Sequence, residues 1–317
     1  MALRTPSDGA GLTVTDPSTP VPQRDPVRIL EAAAAAPSLD AHLEAARRMN
    51  PIYEGLRTAL ARARARGAPE AELVAIRLNL DRARAIPANP GPRWVLVDVA
   101  AQELRWYENG RLAGSMAVAV GKPSMATPAM AGMIRYAVHN PYWNIPPDLA
   151  RTTWAPRVLR AGPAALTSAG IEPLSDWTPH ATPIEPSSVD WNAVVAGRAL
   201  VRLRQSPGPH NMMGEMKFML PNRLGIYLHD TPDKAVFARS RRLVSSGCVR
   251  LADAPRFARW LLGPGGDIAP SAAPEHRVDL PQPVPVYIAY FTAVEGPEGL
   301  ERRPDIYGRD KPRRASA

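Results

Sequence analysis

Apolar residues recur at helical spacing from Val27 to Ile86, at Leu30, Leu39, Leu43, Ile52, Leu56, Leu60, Leu73, Ile76 and Leu80. Such spacing puts an apolar stripe on one helix face. Met49-Asn50-Pro51 and Arg66-Gly67-Ala68-Pro69 interrupt it, because Gly and Pro close helices, and the pattern predicts three helices. Residues 27–88 therefore read as a helical scaffold without chemistry of its own. Residues 1–26, with five prolines among Ser, Thr and Asp, predict a disordered lead. Pro87-Ala88-Asn89-Pro90-Gly91-Pro92 stops helix and strand alike and marks a linker.

Beyond the linker the period changes from helical to extended. Trp94 to Val99, Glu103 to Glu108 and Ser115 to Val120 are strand-like, and Asn109-Gly110 is a hairpin dipeptide between the last two. These predict a β-meander. Gly132 to His139 continues the sheet, and strands resume at Ala199 to Arg204, Met216 to Leu220, Gly225 to His229 and Val284 to Phe291, with a helix over Asp253 to Leu262. Between about 145 and 198 the chain is irregular and rich in Pro and Trp, with short helices around Asp148 to Arg160 and Ser188 to Ala196. An irregular stretch of that length inside a domain is usually functional, which suggests a lid. The expected class is α+β: a mostly β domain over 89–294, a bent mixed sheet or sandwich with an insertion at 145–198, a helical scaffold before it and a charged, frayed tail over 295–317.

Composition narrows the function. The 317 residues are 45% hydrophobic, enough for a full core. No stretch approaches the roughly 20 apolar residues that cross a bilayer. The first 26 residues show no apolar core of a secretory signal. A net charge of +9 favours anionic partners. The arginines, however, are spread through Ala/Arg helices rather than gathered in a stripe with aromatics, so nucleic acid is not expected. The six histidines show no zinc-ligand spacing, and no metal or cofactor is expected.

One cysteine rules out an intramolecular disulfide and leaves Cys248 as either filler or reagent. The neighbouring residues alone leave both readings open, since a lone Cys is commonly a small buried hydrophobe and a lone His a structural one. Ile226-Tyr227-Leu228-His229-Asp230-Thr231 ends a strand, and Ser245-Ser246-Gly247-Cys248-Val249-Arg250 follows, with Cys248 nineteen positions after His229. A thiol of pKa about 8.5 needs a base or a positive field to become a nucleophile, and His229 can be that base. Gly247 allows close backbone approach, and amide N–H groups of such a turn are candidate oxyanion donors. Arg250 can hold a substrate carboxylate bidentately or form a structural salt bridge. Tyr227 and Ser245 either line a pocket or pack beside it. Asp230 either orients the imidazole or caps its loop. Lys217 can meet a substrate carboxylate or remain a surface lysine, and Trp143, with Tyr142, can wall a peptide site or join a core.

The sequence resembles the L,D-transpeptidase catalytic domain family, often called YkuD-like, and within it the longer YcbB-like branch. The resemblance runs over most of residues 90 to 292. Seven segments carry it, in order: Tyr107-Glu108-Asn109-Gly110, Val120-Gly121-Lys122-Pro123, Thr127-Pro128, Asn140 to Pro146, Gly214 to Phe218, Tyr227 to Pro232 and Ser245 to Arg250. It implies Cys248 as nucleophile, His229 as general base and acid, and the Ser246-Gly247-Cys248 turn as oxyanion-stabilising backbone. Much of the family places a second histidine where this chain has Ser246, so no role for one carries over. The implied activity is formation of 3-3 cross-links between peptidoglycan stem peptides, with carbapenem-type β-lactams as covalent inhibitors and the periplasm or cell envelope as location. Other outcomes are a carboxypeptidase that uses water, a ligase that anchors a protein to the wall, a non-catalytic wall-binding module and an intracellular cysteine hydrolase.

Overall fold

The computed structural model describes residues 11–22, 25–178, 180–263, 273–296 and 299–310. The chain enters through β1 (Thr13–Val14). Four helices follow: α1 (Pro26–Ala34), α2 (Leu39–Arg47), α3 (Pro51–Ala65) and α4 (Glu70–Ala83). The first three start on side-chain caps, Asp25, Ser38 and Asn50 accepting from backbone N–H groups of the first turn. There are four helices rather than three. The additional break falls at Ala35–Ser38, where Pro37 precedes the Ser38 cap and the alanine tract hides the change.

The strands are β2 (Arg93–Asp98), β3 (Glu103–Glu108), β4 (Arg111–Gly121) and β5 (Met130–His139). An insertion then holds β6 (Trp143–Ile145), α5 (Pro147–Leu149), α6 (Ala155–Ala161), α7 (Ala164–Thr167), β7 (Ile171–Leu174), α8 (Trp191–Val195) and β8 (Arg202–Gln205). The main sheet resumes with β9 (Met216–Met219), β10 (Leu228–His229), β11 (Leu243–Ser245) and β12 (Val249–Leu251). Helix α9 (Ala254–Leu262), β13 (His276–Ala289), β14 (Ala293–Gly296) and β15 (Gly299–Arg302) complete the described chain.

The meander β2-β3-β4 is antiparallel as its hairpin chemistry predicts. The sheet runs β5-β13-β2-β3-β4-β12-β10-β9, and β9 pairs back onto β5, which closes a ring of eight strands. The bent sheet is thus a closed one, a way to leave no long edge unpaired. Inside it, Val95, Val97, Leu104, Val118, Phe218, Leu228, Val249, Val286 and Ile288 pack with Phe257 and Leu261 of α9. Phe257 sits against the rings of Phe218 and Trp106 at 5.0 and 5.8 Å. On the outer side, Trp94, Leu96, Tyr287 and Ala289 meet Leu56, Ile76 and Leu80 of α3 and α4. β2 is therefore apolar at consecutive positions, as a strand covered on both faces must be. The insertion has its own small core around Ile145, Trp154, Leu166, Trp191 and Leu203.

Two expected unstructured ends are corrected. Within the predicted lead, residues 11–22 bind the sheet: β1 pairs parallel to β5, and Asp16 bonds Arg135 Nε at 2.8 Å; residues 1–10 and 23–24 lie outside the description. The predicted tail begins as the β14–β15 hairpin packed on α3 and α4, and residues 303–310 continue over the protein; residues 311–317 are outside the description. Its charges are used inward. Arg303 forms an ion pair with Asp98, and both side chains are buried, Asp98 at 1% exposure. Asp98 also accepts from Phe291 N at 3.2 Å and Ala101 N at 3.4 Å. Arg303→Ala leaves that carboxylate without its counter-charge and is expected to cost about 3–5 kcal/mol in denaturant unfolding. A loss within about 0.5 kcal/mol, the ordinary surface value, would return this segment to a tail.

Candidate active site

β10 and β12 run parallel, with Leu228 beside Val249 and His229 beside Arg250. β9 flanks β10 with Lys217 beside His229, and β4 flanks β12 with Ala119 beside Arg250. Side chains alternate across a sheet. Leu228, Val249, Leu251, Phe218 and Val118 all point inward and are fully buried. His229, Arg250 and Lys217 consequently share the opposite face. Val249 N donates to Tyr227 O at 3.0 Å, which extends the ladder by one residue and sets Cys248 beside Tyr227. Cys248, Arg250, Tyr227 and His229 form one cluster on that face.

The Cys248 turn is held from within and from behind. Ser245 Oγ donates to Cys248 O at 2.5 Å and accepts from Gly247 N at 3.1 Å. Gly247 has φ +116°, and a Cβ there would sit 3.2 Å from Ile226 Cδ1, so the position favours glycine. Behind it, Thr127 is fully buried. Its hydroxyl donates to Gly247 O at 2.8 Å and accepts from Gly121 N at 2.9 Å. Gly121 is required because a Cβ would lie 2.2 Å from Met125 O. The sequence motif containing Thr127 flagged this residue without revealing its task.

Several expected roles change. The Gly247 amide is engaged by Ser245, so it is not the oxyanion donor; among the described residues, the Cys248 and Ser246 N–H groups have no protein acceptor. Ser245 is buried and closes the turn rather than facing substrate. Ser246 is exposed beside the thiol. The Asp230 carboxylate accepts from Glu215 N at 2.9 Å and pairs with Lys234; it caps a loop and does not orient the imidazole. Gly214, at φ +66°, makes that possible, since a Cβ there would meet Asp230 Oδ2 at 2.4 Å. Lys217 is bound by both Glu275 oxygens, at 2.8 and 3.1 Å. Trp143 packs on the insertion's core, away from the cluster. A cleft of about 370 Å³ between Ile171 and Glu185 also belongs to the insertion and contains none of the cluster residues.

The electrostatics keep both the imidazole and the thiol in their neutral forms. His229 is 4% exposed, and burial, reinforced by the Arg250 charge, lowers its pKa to about 4. It is therefore neutral at pH 7. Its Nδ1 lies 2.5 Å from Asp230 O; a carbonyl can only accept, which assigns the proton to Nδ1 and leaves the lone pair on Nε2. Burial pushes the Cys248 thiol up, opposed by the Tyr227 N–H and by Arg250. Among the described residues, the thiol bonds Gly225 O at 3.6 Å and not the imidazole. Arg250 has no salt-bridge partner among the described residues, and its Nε is buried without a hydrogen bond.

The family model for the L,D-transpeptidase catalytic domain matches residues 92–288. A curated relative from Haemophilus influenzae, provisionally named an L,D-transpeptidase, is 30% identical over 240 residues, 74% of this chain and 47% of its own length. The chain thus spans about half of that relative. Among solved structures, an L,D-transpeptidase from Mycobacterium smegmatis is similar at 15% identity and TM-score 0.30, with 62% of this chain and 58% of that one covered. L,D-transpeptidase 3 of Mycobacterium tuberculosis, with a faropenem-derived adduct, gives 14%, 0.30, 62% and 60%. The catalytic domain of the Enterococcus faecium enzyme gives 16%, 0.26, 62% and 95%. On the family match and the curated relative, the chain belongs to the L,D-transpeptidase catalytic domain family.

Proposed function

We propose that the protein is a cysteine acyltransferase that forms 3-3 cross-links in peptidoglycan at the cell envelope. The observation that carries this is the cluster, on one sheet face, of a half-buried thiol, a neutral buried imidazole and a guanidinium without a salt-bridge partner among the described residues. The thiol turns from Gly225 O toward His229, whose Nε2 takes its proton; active-site hydrogen bonds often tighten only with substrate. The thiolate attacks the carbonyl at the L-centre of the third residue of a tetrapeptide donor, and the Cys248 N–H supports the oxyanion. The C–N bond breaks, the terminal D-alanine leaves with the proton from His229, and a thioester remains. An amine of a second stem gives its proton to His229, attacks the thioester and releases the thiol. Arg250 holds a donor carboxylate. The insertion, as in the longer branch that the sequence resembles, caps the bound stem.

Purified protein incubated with tetrapeptide muropeptides is expected to yield a 3-3 dimer by chromatography and mass spectrometry, and Cys248→Ala and His229→Ala to yield none. Monomeric tripeptide alone would redirect the reading to a carboxypeptidase. A carbapenem is expected to add its mass once to the wild type and not to Cys248→Ala.

The buried imidazole also sets a pH dependence. The folded state keeps His229 neutral down to about pH 4, whereas its ordinary value is 6.5. Between these values the unfolded chain binds more protons, so stability rises with pH across that window and is lost as pH falls through it. The wild type should lose on the order of 3 kcal/mol from this group between pH 6.5 and 4, and His229→Gln should lack that component in denaturant unfolding.

Arg250→Gln removes the charge that depresses His229 and the group that meets the donor. The acid limb of acylation is expected to move to higher pH, and the donor KM to rise roughly 10- to 100-fold, the range for a hydrogen bond to a charged group. Arg250→Lys should recover part of both. An unchanged KM would take the donor carboxylate away from Arg250.

A further inference from the structure

The family match ends at residue 288, yet the chain beyond it returns to the nucleophile turn. After β15, Tyr307 stacks on Tyr290 with ring centroids 5.6 Å apart. Its backbone N donates to Tyr290 Oη at 2.9 Å, and Tyr290 Oη donates to Asp305 Oδ1 at 2.6 Å. Asp305 also accepts from the backbone of Arg309 and Asp310, at 2.8 and 2.9 Å. This self-contained loop aims two side chains at one place. Tyr307 Oη donates to Gly121 O at 2.5 Å and accepts from Thr127 N at 3.3 Å, while Arg309 Nη2 donates to Thr127 O at 3.1 Å. Thr127 is the residue whose hydroxyl holds Gly247 O. The path from the loop to the residue before the nucleophile is two hydrogen bonds long and passes through Thr127 alone.

The far end of the loop is anchored as well. Arg82 of α4 is 5% exposed; it pairs with Asp310 at 2.8 Å, donates to Arg309 O at 2.8 Å and lies over the Tyr290 ring at 5.2 Å. The helical scaffold, the C-terminal segment and the catalytic turn are therefore one hydrogen-bonded unit. A charged group buried at that junction is costly unless it organises its partners.

We infer that residues 303–310 are a strap that fixes the Cys248 turn, with Tyr307 and Arg309 as positioning residues acting through Thr127. The catalytic consequence rests on the reading of Cys248 as nucleophile. Gly121 O and Thr127 N are both held by one phenol, and Thr127 O by one guanidinium. Removing either lets the Met125–Thr127 loop drift, and the Gly247 carbonyl with it. Small misplacements of a reacting group lower rates far more than they lower binding.

The test uses the full chain with Tyr307→Phe, Arg309→Gln, Arg309→Lys and, as a control on the exposed β15 surface, Arg302→Ala. Carbapenem acylation by intact mass should slow roughly ten- to hundredfold in Tyr307→Phe and Arg309→Gln, with the apparent binding constant within about twofold of wild type. Arg309→Lys should recover part of the rate. Alkylation by iodoacetamide, which reads only the sole thiol and needs no oriented turn, should change little. Hydrogen exchange in peptides spanning residues 119–128 and 243–250 should quicken in both slow variants and not in Arg302→Ala. Rates and exchange equal to wild type would overturn the strap. A wild type that is not acylated would remove the nucleophile reading and the catalytic part with it, while the exchange data still decide whether the strap holds the turn. Should Tyr307→Phe fail to fold, Arg309→Gln, which keeps both rings, carries the same comparison.

Discussion

The arrangement depends on one short pairing, the parallel register of β10 with β12. Two residues of each strand meet, Leu228 with Val249 and His229 with Arg250. A pairing that short has almost no stability of its own. It persists because both strands have partners on their other sides, β9 and β4, and because β9 pairs onward to β5. Ring closure thus converts a marginal ladder into a fixed one, and the alternation of the pleat does the rest. A slip by one residue would turn His229 and Arg250 into the core and Leu228 and Val249 out. The fully buried Leu228, Val249, Leu251 and Phe218 oppose that slip, so the same apolar packing that stabilises the domain also aims its polar cluster.

The cluster carries a compromise. Burial keeps His229 neutral, as the proposed base would need, but it also raises the thiol that the proposed reaction would ionise. Arg250 acts on both groups in opposite senses for proton transfer: its charge favours the thiolate and disfavours the imidazolium. A resting thiolate–imidazolium pair is therefore disfavoured, and the ground state is neutral on both sides. A carboxylate against Arg250 would offset the positive charge and make His229 a stronger base at the moment it is needed.

Much of this was legible in the sequence, and the remainder has physical reasons. The meander, α9 and the strands around Cys248 are local, announced by period-2 runs, the Asn109-Gly110 turn and the Asp253 cap. Cys248 and His229 stood out because they lie in two of the seven ordered segments that resemble the family; the glycine turn and the strand end alone left them ambiguous. Ring closure joins β5 to β9 across the whole insertion, and no local pattern encodes a pairing at that separation. The strap read as a tail because its residues are charged and interrupted by Pro and Gly. Nothing in composition distinguishes an arginine in water from Arg303 paired inside the protein. Ser245, Asp230 and Lys217 are polar residues of the right kind in the right motif. Their partners, Gly247, Glu215 and Glu275, decide that they build the site rather than serve it.

The insertion's position follows from the same topology. β5 and β9 are antiparallel neighbours with His139 opposite Met216, so residues 140–215 grow from what would otherwise be a hairpin turn. Its neck is narrow: Asn140 N donates to Glu215 O at 2.8 Å, and Asn211 Nδ2 donates to Pro141 O at 3.0 Å. Because the insertion has its own core, its interior can vary without disturbing the ring. The neck cannot vary so freely, because Glu215 N is held by Asp230, the residue after His229. The neck of the insertion and the loop that holds the imidazole are therefore one hydrogen-bonded unit, and under the proposed function this would link the insertion's position to the orientation of His229.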